Sequence, residues 1–199
     1  MFSIAFFTSV LLLAVQVSTS PISQRDTEAA QVCEGEAYER NCYTQDLNIT
    51  DIKLALAGLR LYTGLFTMPY NSSREPCEEW TVWSSDKNTV MITAKHLNKR
   101  NTSVLYDDII STINGGPGAN STKRDQYLGG CTKKDEKGNI IAYTGGSMAT
   151  YIRNPKAAEY TNSNFTNSVS NFTTEGIIIK LVRNTDVITL PPSNDGWGF

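Results

Sequence analysis

The strongest helical pattern of the chain lies in residues 48–63, where apolar side chains recur every three or four positions. This spacing is typical of an amphipathic helix. Asn48 can accept a hydrogen bond at the first turn, and Asp51 favours the positive end of the helix. Leu54 and Leu61 widen the apolar face, which indicates contacts on two sides. The residues that carry the main pattern are Ile52, Ala55, Leu56, Leu59 and Tyr62.

A second helical pattern lies in residues 104–113, because Leu105, Ile109 and Ile113 fall on one face. The glycine-rich residues 114–118 follow directly and end the pattern, since glycine is common where helices stop. The sequence therefore predicts two main helices, separated by roughly forty residues of a different pattern.

Apolar and polar residues alternate with a period of two in several short stretches, which is typical of half-buried strands. Residues 77–83 and 89–94 alternate in this way, and turn-forming residues separate them. These two stretches are predicted to pair as a hairpin. Two more strand pairs are predicted on the same grounds, 139–144 with 148–153 and 177–182 with 187–190.

Hairpins that are interspersed with helices predict an α+β fold, in which an antiparallel sheet carries two main helices packed on it. One domain is expected from residue 32 to residue 190, followed by a tail at 191–199. Residues 154–160 are predicted to begin a short helical turn. The stretch 161–174 is rich in Asn, Ser and Thr and is predicted to be a loop.

Residues 1–20 form an apolar leader of signal-peptide length, too short to span a bilayer comfortably. Ser18 and Ser20 are small residues at the positions that a cut after Ser20 requires. The leader departs from the usual pattern because it has no Lys or Arg before its apolar part. We predict secretion, with residues 21–31 as a disordered arm or a short pro-segment cut after Arg25.

The chain has four cysteines, Cys33, Cys42, Cys77 and Cys131. An even number of cysteines in a secreted chain predicts two disulfides that staple the domain. Four cysteines allow three pairings, and all three remain open at this stage. The sequence has no Cys-x-x-Cys, which argues against a redox motif or a zinc knuckle.

Asparagine-linked glycosylation is the clearest chemical signal in the chain. Six Asn-x-Ser/Thr sites are acceptors in a secreted chain if they are exposed. Five of them lie in predicted loops, whereas Asn48 is also the predicted helix cap, so we expect weaker modification there. The six sites are Asn48, Asn71, Asn101, Asn120, Asn164 and Asn171.

Charged residues make up 19% of the chain, and its net charge is −2. Because the basic residues are also dispersed, we expect no nucleic-acid partner and no attraction to anionic membranes. No second apolar run approaches the length of a membrane span. A single histidine excludes a metal site of several histidines, and no glycine run matches a phosphate-binding loop, so neither metal nor cofactor is predicted.

Few residues are candidates for catalysis. His96 continues the apolar face of its strand and is predicted to be a strand-end packing residue or a surface residue, not a base. Glu78 and Glu79 are adjacent strand residues on opposite faces, and Asp107 and Asp108 are predicted on the solvated face of the second helix. A hydrolase that acts on polysaccharide or RNA would need these groups to converge in a cleft. That function stays an alternative.

Two aromatic residues are candidates for binding. Trp80 and Trp83 are predicted on opposite faces of one strand, so one is expected in the core. The other is a possible contact for a sugar or a protein, although packing of both is the alternative.

The loop of residues 115–124 suggests a third function, protease inhibition through an exposed loop. Dibasic pairs end at Arg100 and Arg124, each beside a glycosylation site. Proteases of the secretory pathway cut after such pairs, so these two arginines are possible processing sites. The alternative is that both pairs are exposed loop charges.

The order of elements suggests a resemblance. The chain has, in this order, a signal peptide, Cys33 and Cys42, a helix, Cys77 before a hairpin, a second helix, and Cys131 before further strands. This order resembles small secreted cysteine-containing proteins of filamentous fungi, including plant-pathogen effectors and killer-toxin-like α/β sandwiches. It covers about residues 33–153 and rests on element order and cysteine placement.

The resemblance implies a protein without enzymatic activity that acts on a host or competitor cell. Together with the leader, the cysteines and the glycosylation sites, it predicts a secreted glycosylated effector or binding protein. The expected partner is an extracellular or host protein, or a glycan.

Overall fold

A computed structural model describes Cys33 and residues 36–70, 77–166 and 171–186. The elements in chain order are β1 (Asn41–Cys42), α1 (Ile49–Leu59), β2 (Leu65–Met68), β3 (Glu79–Trp83), β4 (Val90–His96), β5 (Thr102–Leu105), α2 (Tyr106–Asn114), α3 (Ser121–Arg124), β6 (Thr132–Lys134), β7 (Ile140–Tyr143), β8 (Gly146–Ala149), α4 (Ala158–Thr161), α5 (Ser163–Thr166) and β9 (Ile177–Arg183). Helices and antiparallel sheets are combined as predicted, so the fold is α+β. Several predictions fall outside the described residues: the leader 1–20, the arm 21–31, the strand 187–190 and the tail 191–199.

The main sheet has five antiparallel strands in the order β1-β8-β9-β4-β3. β9 lies at its centre, with β4 paired along its whole length and β8 on the other side. Every residue of β9 except Arg183 is buried. A nearly continuous apolar strand is expected wherever both faces of a sheet are covered, which explains the run Ile177-Ile178-Ile179. β2 pairs with β5, and β6 pairs with β7, in two smaller sheets.

Both main helices pack on the same face of this sheet. They enclose the larger core of the protein, in which the apolar stripes of α1 and α2 meet alternate residues of β4 and β9. The predicted hairpin of β3 and β4 is confirmed. The central residues of this core are Ile52, Ala55, Leu59, Ile109, Ile113, Val90, Ile92, Ala94, Ile179 and Leu181.

The first helix is shorter than predicted. It begins after Asn48, whose side chain accepts a hydrogen bond from the Thr50 N–H at 2.8 Å, and it ends at Leu59. Leu54 and Leu61 are 54% and 84% exposed. The prediction that the wider apolar face makes contacts on two sides is therefore wrong.

The second helix begins later than predicted because the chain first forms β5. Val104 pairs with Phe66 of β2, a strand that the sequence pattern did not indicate. α2 then runs to Asn114 and ends at Gly115, whose φ of 82° is the left-handed conformation that favours glycine. The predicted glycine stop is confirmed.

The predicted hairpin of residues 139–144 with 148–153 is wrong. β7 pairs instead with β6, and β8 joins the main sheet between β1 and β9. Gly145 lies at the crossing point with a φ of 64°. A β-carbon at this residue would lie 2.3 Å from the Leu181 carbonyl oxygen, so only glycine allows the chain to pass this close to β9.

The predicted loop of residues 161–174 contains helical turns. α4 and α5 lie within or beside it, and Asn162 starts α5 by accepting a hydrogen bond from the Phe165 N–H at 2.9 Å. The rings of Tyr160 and Phe165 are buried edge to face, with centroids 5.4 Å apart. Local caps explain why a polar stretch becomes helical here.

Candidate functional site

Two disulfides join the cysteines in one of the three open pairings. Cys33 bonds to Cys77 and Cys42 to Cys131, with S–S distances of 2.10 and 1.99 Å. Both bonds attach the first described part of the chain to the rest of the domain. The predicted disulfide staples are therefore present, and they act on one segment.

We call residues 36–47 the N-terminal strap: Glu36 and Tyr38 lie over the sheet face that is opposite the helices, and Asn41-Cys42 forms the edge strand β1. The Tyr38 carbonyl accepts a hydrogen bond from the Ala149 N–H at 2.9 Å, and the Leu47 N–H donates to the Tyr143 carbonyl at 2.8 Å. Cys33, Leu97 and Ile178 form a second, smaller core beneath it. Glu36 and Tyr38 of the strap therefore help to cover the second face of β9.

A cluster of four charges lies between the strap and the sheet. The Lys180 ammonium is 2.8 Å from Glu36 and 2.9 Å from Glu79, and Lys95 is 2.8 Å from Glu36. Only 11% of the Lys180 side chain is exposed. Burial alone would raise the pKa of Glu36, but the hydrogen bonds from Lys180 and Lys95 outweigh it and hold that pKa below its usual value.

The predicted catalytic groups do not converge. Glu79 pairs with Lys95 across the strands and therefore lies on the strap face, whereas His96 lies on the helix face. Thr93 donates a hydrogen bond to Glu79 at 2.5 Å, so this carboxylate has a neutral partner as well as Lys180. Glu78 is exposed immediately before the same strand.

His96 is the buried end of β4, so it is a packing residue and not the surface residue that the sequence also allowed. Its Nε2 lies 3.1 Å from the Thr102 hydroxyl. Burial lowers the pKa of His96, although hydrogen bonds with the Arg100 backbone and the Asn98 side chain oppose this. A neutral imidazole in a closed site is a structural group.

Asp108 corrects another prediction. It was expected on a solvated helix face, but only 2% of the residue is exposed. Its carboxylate accepts a hydrogen bond from the Tyr160 hydroxyl at 2.7 Å and from the Arg153 N–H at 3.1 Å. Burial raises the pKa of Asp108, because these two donors do not fully replace water. Its neighbour Asp107 is exposed as predicted.

Asp108→Asn is expected to remove one pH-dependent part of the stability. A carboxyl group whose pKa is raised on folding makes its full contribution to stability below the pKa of 3.8 that it has in the unfolded chain. That contribution is lost as pH rises through the higher pKa of the folded state. The difference in unfolding free energy between wild type and variant should therefore change between about pH 4 and neutral pH. Urea denaturation at several pH values measures it. A difference that is independent of pH would contradict the raised pKa.

The two tryptophans share one face instead of lying on opposite faces. The pairing shifts between Thr81 and Trp83, so that Trp80 lies opposite Ala94 and Trp83 opposite Ile92. Such a bulge adds one residue to a strand and reverses the alternation after it. Both indoles are half-buried against the main core, in agreement with the alternative prediction that both tryptophans pack.

Gly58→Ala is expected to destabilise the protein by about 2 kcal/mol, although alanine is normally the better helix residue. The indole of Trp83 covers Gly58, and an added β-carbon would lie 2.2 Å from its Nε1. Thermal unfolding monitored by tryptophan fluorescence measures the loss. Ala57→Gly is the control on the exposed side of α1, with an expected loss of about 1 kcal/mol from helix propensity alone. Equal losses in the two variants would contradict overpacking.

Five of the six predicted glycosylation sites lie in the described residues, and Asn71 lies outside them. Asn48 and Asn120 cap helices through Oδ1, which accepts from a backbone N–H at 2.8 and 2.9 Å. An N-linked glycan is attached to Nδ2, so capping gives no reason to expect weaker modification of Asn48. The exposed sites are Asn48, Asn120, Asn164 and Asn171, and Asn101 is half-buried.

The loop of residues 115–124 does not have the extended form that an inhibitory loop needs. Ala119 is buried, and residues from Ser121 to Arg124 form α3. Both possible processing arginines, Arg100 and Arg124, are exposed, the first in a bend between β4 and β5. Arg25 lies outside the described residues.

An exposed apolar surface at α1 is a candidate binding feature that was not predicted from the sequence. Leu54 and Leu61 form it with Tyr62, which is 51% exposed, and Lys53 and Arg60 flank them. We call these five residues the α1 patch. The extra apolar residues on the second side of the helical pattern were its signal in the sequence. In the structure these extra apolar residues form an exposed surface and not the internal contact that was predicted.

The ring of Tyr62 is held in place from below. It stacks on Tyr106 with centroids 5.1 Å apart and an interplanar angle of 22°, and Tyr106 contacts Phe66 edge to face at 6.0 Å. Aromatic contacts of this kind contribute about 1 kcal/mol each beyond the burial of their area. The patch therefore has a rigid aromatic edge.

Comparison with protein-family models, curated proteins and solved structures finds no match to this chain. The resemblance to small secreted fungal proteins stays a prediction. Within the described residues, no helix has the length and apolar character needed to cross a membrane. The same part of the chain contains no group of three or more His, Cys, Asp or Glu side chains arranged to hold a metal ion.

Proposed function

We propose that the chain is a secreted, N-glycosylated and disulfide-bonded effector or binding protein without catalytic activity. It contacts a protein of a host or competitor cell through the α1 patch. The observation that carries this proposal is the exposure of Leu54, Leu61 and Tyr62, on α1 and the turn that follows it. Exposed apolar residues grouped in this way are typical of interaction sites.

The spacing of the exposed residues along α1 favours a helical protein segment as the partner. Along the exposed side of α1 and its end, intervals of four, three and four residues separate Thr50, Leu54, Ala57 and Leu61. This is the spacing of a coiled-coil seam, onto which a second helix can lay its own apolar side.

The charges beside the patch favour an acidic partner. Lys53 and Arg60 are exposed next to the apolar seam, and neither forms an ion pair with another described residue. The one carboxylate on α1, Asp51, accepts hydrogen bonds from the backbone and side chain of Thr89. Complementary charge speeds association and selects partners, so an amphipathic segment flanked by Asp or Glu fits best.

The alternatives have less support. A hydrolase needs its acid and base across one cleft, whereas Glu79 and His96 lie on opposite faces of the sheet and Asp108 is hydrogen bonded internally. A glycan contact through Trp80 and Trp83 would require free indole faces, but both rings pack against the core.

Binding of two synthetic helical peptides tests the proposal. Both peptides carry the same apolar seam, and one is flanked by glutamates and the other by lysines. Fluorescence anisotropy with the secreted full chain should show at least about tenfold tighter binding of the acidic peptide. The variant Lys53→Glu/Arg60→Glu should reverse this preference.

Matched apolar variants distinguish specific binding at the α1 patch from non-specific hydrophobic binding. Leu54→Ser/Leu61→Ser should weaken binding of the acidic peptide by about tenfold or more, because central apolar contacts carry most of an interface's energy. Ile140→Ser/Ile141→Ser is the control, since these two residues of β7 are also exposed.

Three outcomes would overturn the proposal. The first is equal binding by both pairs of apolar variants. The second is self-association of the chain through the α1 patch, or preferential binding of anionic lipid vesicles, in place of peptide binding. The third is hydrolysis of polysaccharide or RNA that His96→Asn abolishes.

A further inference from the structure

We propose that Arg124 is a processing site of the chain and that Arg100 is not. A protease that recognises a basic pair hydrolyses the peptide bond between Arg124 and Asp125, and the Cys42–Cys131 disulfide keeps the two resulting polypeptides joined. The inference rests on the proposed secretion of the chain, but not on the partner proposed for the α1 patch.

The Lys123-Arg124 pair lies in an exposed segment between two buried residues. Every residue from 120 to 126 is exposed, and α3 contains no buried residue. Ala119 before the segment is 8% exposed, and Tyr127 after it is 6% exposed. Exposed polar segments are preferred sites of proteolysis, so a protease can approach this pair from solvent.

This segment can open without exposing apolar surface. The Arg124 N–H donates a hydrogen bond to the Asn120 carbonyl at 2.9 Å, and its carbonyl accepts from the Tyr127 N–H at 3.0 Å. Arg40 also donates to the carbonyls of Asp125 and Tyr127. Water can replace these bonds at the surface, and a helix of four residues is marginally stable by itself. A protease therefore needs only a local opening to reach the peptide bond.

The Lys99-Arg100 pair lies in a shorter and more tightly held bend. Both basic residues are exposed, but Leu97 and Thr102 on either side are 1% and 0% exposed. The Asn98 side chain accepts from the Arg100 N–H at 3.1 Å and donates to the Glu175 carbonyl at 3.1 Å. Opening this bend would expose buried side chains and break their hydrogen bonds, so it needs more free energy than opening α3.

The residue that follows each arginine also differs. Asn101 follows Arg100, is half-buried, and is a predicted glycosylation site. A glycan on the residue next to the peptide bond would keep a protease away from it. Asp125, which follows Arg124, is exposed, and the predicted glycosylation site at Asn120 lies four residues before Arg124.

The fold holds both sides of the cut in place. α2 precedes the cut and contributes Ile109 and Ile113 to the main core, whereas Leu128 follows the cut and packs in the same core. Because the cut falls between these buried residues and removes none of them, the cut protein keeps its core.

The disulfide pairing determines how the two polypeptides are connected. Cys33 and Cys77 both precede the cut, whereas Cys42 precedes it and Cys131 follows it. In the uncut chain the Cys42–Cys131 bond closes a loop, and in the cut protein it links the two polypeptides. Hydrolysis consumes one water, whose oxygen completes the Arg124 carboxylate and whose hydrogens go to the Asp125 amine, so neither disulfide is reduced.

Secretion of the full chain from a eukaryotic host that has a protease of dibasic specificity tests the inference. Without reduction the protein should run as one species on a gel. After reduction, N-terminal sequencing should find a second polypeptide that begins at Asp125. Lys123→Ala/Arg124→Ala should abolish the cut, and Lys99→Ala/Arg100→Ala is the matched control that should leave it unchanged.

Digestion of the purified full-length chain keeps the test valid if the host does not secrete it, an outcome that would contradict the proposed secretion alone. A protease of dibasic specificity should cut after Arg124 at least about tenfold faster than after Arg100. A single full-length polypeptide in the medium after reduction, or faster cutting after Arg100, would overturn the processing site. Separate fragments before reduction would overturn the disulfide link.

Discussion

Lys180→Met is expected to lower the free energy of unfolding by about 3 kcal/mol at neutral pH. Lys180 is the central charge of the cluster under the N-terminal strap, and its removal leaves Glu79 without an ion-pair partner among the described residues. Glu36 keeps Lys95, which limits the loss to the lower end of the range for broken buried ion pairs. Urea denaturation monitored by circular dichroism measures this change.

Two control variants separate the charge from the packing. Lys180→Met/Glu79→Gln replaces the unpaired carboxylate by a neutral amide and should recover about half of the loss or more. Lys133→Met changes an exposed lysine of β6 and should alter stability by about 0.5 kcal/mol or less. A loss in this double variant as large as that in Lys180→Met would show that unpaired charge is not the cause.

Cys42→Ala/Cys131→Ala is expected to have the largest effect of any change considered, a loss of about 4.6 kcal/mol. The disulfide closes a loop with a sequence separation of 89 residues, and its removal frees the unfolded chain from that constraint. Small domains are stable by about 5–15 kcal/mol in total, so the variant should unfold in part near body temperature. Alanine avoids placing a hydroxyl beside Gly146, where Cys131 is buried.

The second disulfide provides the comparison. Cys33→Ala/Cys77→Ala opens a loop with a separation of 44 residues and should cost about 4.0 kcal/mol on the same model. Calorimetry of the two double variants and the wild type measures both losses. If Cys42→Ala/Cys131→Ala were the more stable of the two, loop length would not decide the contribution of each bond.

Local patterns in the sequence predicted the elements whose causes are local. The cap at Asn48 and the glycine stop at Gly115 depend on residues within one helical turn, and both are present. The hairpin of β3 and β4 needs only a short turn, and it formed as predicted. The α+β class follows from such elements.

The wrong predictions concern residues whose structure depends on contacts with residues distant in the sequence. Asp108 looks like a solvated helix residue until Tyr160, 52 residues later, donates a hydrogen bond to it. Val104 follows a helical spacing, yet its pairing with Phe66 of β2 makes it a strand residue. A residue's own neighbours in sequence do not contain this information, because burial and pairing are set by tertiary contacts.

The candidate site was harder to predict than the fold. One extra residue between Thr81 and Trp83 moves Trp83 to the face of Trp80, and no residue type requires a bulge there. Conversely, Leu54 and Leu61 were visible as a second apolar side of α1. An internal contact and an exposed binding surface produce the same pattern, so only the structure separates them.

The central position of β9 has a consequence for the order in which the protein can be made. β9 is the last described strand to leave the ribosome, and the strap that covers it is among the first segments to do so. Glu36 and Lys180 are 144 residues apart, so their contact forms only after nearly the whole domain has been synthesised. The main sheet therefore assembles only once β9 has been synthesised, and it folds slowly for its size, as expected for a fold dominated by distant contacts.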